Sequence, residues 1–86
     1  MRIDLYLKLM GITKTRMAAK RLCDTGKVSQ DGKGLKPSED LEGGEKLFIL
    51  LPFKEVRLTV VDIPPGKSVA KSDRPLYAAI TSVDRY

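Results

Sequence analysis

The chain has 86 residues, 42% of them apolar, enough for one small domain with a modest core. Sixteen Lys and Arg outweigh eleven Asp and Glu, and a net charge of +5 favours a polyanionic partner. With no His, a single Cys and no Trp, the composition speaks against metal centres and His- or Cys-built catalysis. Two Phe and three Tyr are too few for a single-strand binder that works by base stacking.

In chain order, Asp4 reads as the N-cap of a short apolar helix from Leu5 to Met10, ended by Gly11. Ile12 fills the corner before a second helix, which Thr13 or Thr15 can cap. In that helix Thr15, Ala18, Ala19, Leu22 and Cys23 share one face, and the small alanines allow close approach of another element. Arg16 and Lys20, four apart, project together from the flank of that face, while Arg21 points to solvent. Gly26 suits the left-handed conformation that closes a helix. Lys27 to Gln30 then runs extended into Asp31-Gly32, a two-residue hairpin signal, because a type I′ turn needs positive φ at both central positions.

Leu35 anchors a second short strand. Pro37 to Asp40 is turn-forming, and Pro37 blocks a central ladder there. Leu41 reads as an apolar anchor under the loop, and Gly43-Gly44-Glu45 as a second turn. Lys46 to Leu51 is a strand too continuously apolar to be exposed on both faces. Pro52 to Glu55 links it to a second alternating strand, Val56 to Ile63. Pro64 to Ser68 ends the compact part. The remainder is ambiguous: Leu76, Ile80 and Val83 have helical spacing, while Tyr77 to Thr81 tolerates an extended strand. Leu76, Tyr77 and Ile80 are expected to hold this tail partly on the domain. The expected organisation is a domain over 1–63 and a tail over 64–86. The fold class is α+β: two short N-terminal helices on a small, mostly antiparallel sheet of four to five strands.

Charge is unevenly spread. Residues 1–36 hold nine cationic and three acidic residues, and 37–50 hold one and four. A basic N-terminal part beside an acidic loop presents one polyanion-facing side. Cys23 lies on an apolar helix face, as expected of a buried reduced thiol in a reducing cytosol. No leader, membrane-length apolar run or lipidation pattern is visible, so the expectation is a cytoplasmic protein without a membrane partner.

The ordered set Arg2-Ile3-Asp4, Gly11, Thr15-Arg16, Ala19, Gly26-Lys27-Val28, Asp31-Gly32, Lys36-Pro37-Ser38 and Gly44-Glu45 resembles the RNA-binding domain named after small-subunit ribosomal protein S-four, the α-L motif. The resemblance spans roughly residues 2 to 63. The chain departs from it at Thr15, Asp31 and Glu45, where the family usually has Ser, Asn and Asp; the acid at Asp31 would stand near the RNA face. Among family members the chain looks like the small stand-alone types, the RqcP type of bacterial ribosome-associated quality control and the related heat-shock type.

That resemblance implies binding to ribosomal RNA of the large subunit and to peptidyl-tRNA. It also implies a partner quality-control protein, support for C-terminal alanine tailing of stalled chains, and a monomer off the ribosome. Arg16 is then the central phosphate-gripping residue, since its fork binds bidentately where Lys cannot. Arg2, Lys8, Lys14, Lys20, Lys27 and Lys33 are flanking contacts, and Thr15 is a cap near the RNA. Asp4, Gly26, Asp31 and Gly32 are structural supports; for Asp4, capping helix one and orienting Arg2 or Arg16 both stand open. No enzymatic role, cofactor or metal is expected. The rival readings are a DNA-binding helix-turn-helix protein and a protein-interaction adaptor using Lys46 to Leu51 or the tail.

Overall fold

The computed structural model describes residues 1–84; the last two positions of the expected tail, 85 and 86, lie outside the described residues. Two helices, α1 (Ile3–Leu9) and α2 (Arg16–Asp24), precede five strands: β1 (Val28–Gln30), β2 (Lys33–Gly34), β3 (Lys46–Leu51), β4 (Lys54–Val60) and β5 (Ala78–Asp84). A 3-10 turn, Lys71–Leu76, leads into β5. The strands form one sheet in the order β2-β1-β3-β4-β5, with every neighbouring pair antiparallel. The α+β architecture read from the sequence is the one observed.

Strand periodicity sorts the sheet residues between two faces. Val28, Leu47, Ile49, Val56, Leu58 and Val60 are buried on one face, joined by Ile3, Tyr6, Leu7, Leu9 and Met10 of the first helix and its cap, and by Ala19 and Cys23 of α2. Ala19 is fully buried, and its small side chain lets the helices pack closely on the sheet. Leu41 is 3% exposed, the anchor expected of it. The other face of the sheet carries Ser29, Phe48, Arg57 and Thr81 in one cross-strand row. The Arg57 guanidinium lies 5.2 Å from the centre of the Phe48 ring.

α1 begins two residues earlier than its sequence signals suggest. Its first two N–H groups are met by backbone rather than by a side chain: Ile3 N–H donates to the Glu39 carbonyl (2.8 Å) and Asp4 N–H to that of Pro37 (3.3 Å). The N-cap position is therefore Arg2, with no side-chain cap, and Asp4 sits inside the first turn. Asp4 as the helix cap is corrected. α2 is capped by Thr15, whose hydroxyl accepts from Ala18 N–H at 3.1 Å, while the Thr13 hydroxyl donates to the Thr15 carbonyl. Gly26 closes α2 with φ +73. Asp31 (φ 52) and Gly32 (φ 79) make the two-residue hairpin that registers Gln30 against Lys33.

Three expectations about the second half are revised. Lys54 and Glu55 are ladder residues, not linker: Leu51 pairs with Lys54 across the two-residue turn Pro52-Phe53. The strand also stops at Val60 rather than Ile63, because Val61 and Asp62 N–H both turn to the Tyr77 carbonyl (2.9 and 3.2 Å). The helical spacing of Leu76, Ile80 and Val83 does not mark a helix or a packed stripe. Leu76, which ends the 3-10 turn, is 63% exposed, and Ile80 and Val83 are 43% and 56% exposed because they lie on β5, an edge strand. Of the three expected anchors, Tyr77 does pack against the core, beside the buried Ala78. The segment is fastened by two long-range bonds: Tyr6 hydroxyl to the Tyr77 carbonyl (2.7 Å) and Arg74 Nε to the Leu9 carbonyl (3.3 Å). The Arg74 guanidinium packs against Gly11, where any Cβ would collide with it.

Replacing Ile49 by Ala, which removes the centre of the buried face, is expected to cost about 3 kcal/mol in urea unfolding. Burial, aided by the nearby Asp4 and Asp24 charges, pushes the Cys23 thiol from its ordinary 9.0 to about 11. Burial first, and then the Glu45 charge, also raises the Tyr6 hydroxyl. Both folded-state pKa values lie above the unfolded ones, so their stabilisation is complete below pH 9.0 and is lost as pH rises toward about 11 for Cys23. Urea midpoints measured across that window should fall, and Cys23→Ser should flatten the slope. At pH 8 a disulfide reagent should label the folded protein far more slowly than the unfolded chain.

Candidate nucleic-acid interface

The N-terminal strip Met1–Arg2 is the first piece of the site to be positioned. It runs beside the loop after β2: Leu41 N–H donates to the Met1 carbonyl (2.8 Å), and Arg2 bridges Asp40 through the backbone. The Met1 ammonium lies 3.7 Å from the Asp40 carboxylate, which is 76% exposed, so this ion pair adds little. The backbone bonds are what hold Arg2 at the mouth of α1.

Because loop carbonyls meet the first N–H groups of α1, the Asp4 carboxylate is available for side chains. It is 3% exposed. Its Oδ1 accepts from Leu5 N–H (2.8 Å) and forms an ion pair with Arg16, whose Nε lies 3.2 Å away, and its Oδ2 accepts from Arg2 Nη2 (3.1 Å). One buried carboxylate thus joins the start of α1 to the start of α2 and holds two guanidiniums, each about half exposed, side by side. The buried charge is compensated by two cations and a backbone donor, as a buried carboxylate must be. Arg16 spends Nε on Asp4 and keeps its outer Nη1–Nη2 edge for an anion.

Arg2, Asp4, Arg16, Met17 and Lys20 line one shallow depression. The structure therefore brings together three of the expected cations, Arg2, Arg16 and Lys20, at the N-terminal end of α2, where the helix dipole also favours an anion. Thr15 is the α2 cap, next to Arg16 in the chain and not part of the lining. The other four stand elsewhere, and among the described residues no hydrogen bond or ion pair links them to the cluster. Lys8 is exposed in the last turn of α1, Lys14 in the loop between helices, Lys27 between α2 and β1, and Lys33 at the start of the edge strand β2. Gly26, Asp31 and Gly32 shape the turns that carry Lys27 and Lys33.

Two parts of this site were not legible from residue types. Met17 is 59% exposed between cations and lines the depression. Its position off the apolar face of Thr15, Ala18, Ala19 and Leu22 was the available signal. The Asp4–Arg16 pair joins residues twelve apart in sequence on different helices, and only their packing reveals it. A second, larger hollow lies on the opposite sheet face and is lined by residues including Ser29, Asp31, Lys46, Phe48, Arg57 and Thr81. Its Arg57 is already stacked on Phe48 and its lining includes the acid Asp31, which makes it the weaker anion site.

At the far end of the sheet the Glu45 carboxylate accepts from Glu42 and Gly43 N–H, both at 2.7 Å, and closes the turn at Gly43 and Gly44. Burial alone would raise its pKa, but these backbone donors and the N-terminal ammonium bring it below the ordinary value. Its role is to hold the turn that feeds β3.

No protein-family model matches the chain. The chain is 33% identical over 79 residues to the RQC P-site tRNA stabilizing factor of Helicobacter pylori strain J99, covering 92% of this chain and 94% of the relative. The solution structure of the hypothetical protein HP1423 matches with a TM-score of 0.79 and 31% identity, over 94% of this chain and 96% of that one. The Vibrio cholerae heat shock protein 15 structure matches with a TM-score of 0.83 and 23% identity, over 94% and 81%, which shows the shared fold. The fold, the ordered α-L positions and the near full-length match agree, and the chain belongs to the family of RQC P-site tRNA stabilizing factors, within the S-four-type proteins.

Proposed function

We propose that this chain is a non-catalytic RNA-binding factor of bacterial ribosome-associated quality control. It engages the large ribosomal subunit and steadies P-site peptidyl-tRNA while a partner protein supports alanine tailing of the stalled chain. The observation that carries the reading is the carboxylate-anchored pair of guanidiniums, Arg2 and Arg16, with Lys20 beside them. RNA helices are read largely through phosphates and 2′-hydroxyls, and preset cations serve that mode. The relatives' name supplies the P-site tRNA. The heat-shock role is the weaker reading, because that neighbour is only 23% identical. A DNA-binding helix-turn-helix reading is not favoured either: both helices are short and pack on the sheet through Tyr6, Leu7, Ala19 and Cys23.

The discriminating experiment is sedimentation of tagged protein with ribosomal subunits from lysate containing stalled complexes. Wild type should travel with free large subunits and Arg16→Ala should remain at the top. Wild type at the top of the gradient at low salt would remove the ribosomal reading. In vitro, Arg16→Ala should reduce the slope of log affinity against log salt on a structured RNA by about 0.7–0.9 for each phosphate that the arginine neutralises. Arg16→Lys should recover charge but not the fork, and so restore affinity only partly.

Asp4→Asn separates positioning from net charge. It raises the net charge from +5 to +6, so charge alone predicts tighter RNA binding. Loss of the shared anchor predicts the reverse: weaker binding, with a stability loss of about 1 kcal/mol. Filter binding beside thermal melting reads both.

A further inference from the structure

β5 ends the sheet with seven residues, AAITSVD, that pair without a bulge along β4 from Val60↔Ala78 to Lys54↔Asp84. Only one side of the strand is used by that ladder. Among the described residues, no backbone hydrogen bond outside the ladder involves Ala78–Asp84, and all but Ala78 are exposed. Natural edge strands are guarded by Lys, Pro, bulges or extreme shortness. The opposite edge follows that rule: β2 is two residues long, begins with Lys33 and is followed by Lys36 and Pro37. β5 carries none of these guards, and Ile80 and Val83 stand exposed along it, with Leu76 just before it.

We infer that β5 is a self-association edge, where a second copy of this chain pairs antiparallel with the first about a two-fold axis at Thr81. Centring on Thr81 pairs all seven residues and sets Ile80 opposite Ser82 and Ala79 opposite Val83. Charge distribution selects a second copy as the occupant. Parallel pairing in register would put Asp84 against Asp84, whereas the antiparallel arrangement sets each Asp84 opposite Ala78, where the other chain leaves a turn whose Lys71 and Arg74 outnumber its one acid, Asp73. Residues 51–84 are nearly neutral, with five cations and four acids. Within the basic N-terminal part, α2 packs toward β1, and β1 and β2 are at the far end of the sheet from β5. Two copies joined at β5 keep their cationic helix faces apart, and both RNA-facing depressions stay open. The joint is one strand pair with little buried area, so it is weak and filled by mass action. It departs from the monomer expected from sequence, and it does not depend on the RNA-binding reading.

The test is sedimentation equilibrium of the full chain from about 10 µM to about 1 mM, with wild type, Thr81→Lys and Thr81→Glu run separately and as an equimolar mixture of the two variants. Far-UV circular dichroism melts confirm that each is folded. Wild type should shift from monomer to dimer with concentration. Each variant alone should associate about fivefold more weakly, because like charges face each other at the axis. The mixture should regain wild-type association or exceed it. A wild type that stays monomeric throughout overturns the inference. So does a dimer that both variants leave unchanged, or a mixture no tighter than its components.

Discussion

The buried Asp4 carboxylate is the constraint on which the cationic surface depends. It takes a guanidinium from each side and a backbone donor from its own helix, so three separate pieces of chain share one acceptor. An isolated buried carboxylate would cost several kcal/mol; here the two arginines offset that cost and are themselves ordered by it. Two surface arginines left to themselves would sample many rotamers and lose that entropy on binding an anion. Held on Asp4, much of that ordering is already in place.

That arrangement rests in turn on a backbone substitution. Glu39 and Pro37 carbonyls meet the first N–H groups of α1, work that an N-cap side chain does in most helices. The same loop pairs with Met1 and Arg2 and places Leu41 in the core. The acidic stretch of residues 37–45 therefore has structural tasks: it supports the N-terminal strip, and through Glu45 it closes the turn into β3. Its negative charge does not oppose the cationic surface so much as hold the frame behind it.

The two edges of the sheet are built differently. One ends in a tight Asp-Gly hairpin flanked by lysines, and the other in a long unguarded strand tied back to α1 through Tyr6–Tyr77 and Arg74–Leu9. Those two ties bring the last third of the chain into the same sheet as the first two thirds. β5 itself is held by its ladder and by the turn before it, not by side-chain burial.

Much of the fold was legible in residue order. The Asp31-Gly32 turn, the Gly26 helix stop, the Thr15 cap as one of two choices, the apolar run of Lys46 to Leu51 and the anchor at Leu41 are all local signals, and local signals survive folding when tertiary contacts agree with them. Arg16 and Lys20 were also legible, because helical spacing alone places them together. What the sequence alone determined is thus the element order, the alternating core face and the cationic flank of α2. Tertiary structure alone decided that Asp4 orients rather than caps, that Arg2 joins Arg16 and Lys20 while Lys8, Lys14, Lys27 and Lys33 stand apart, and that residues 78–84 complete the sheet. Each of these depends on groups distant in sequence meeting across a packed core: a loop carbonyl at α1, a carboxylate between two helices, a tyrosine hydroxyl reaching a carbonyl 71 residues on. No local pattern carries such partners, because the partner is chosen by packing and not by spacing.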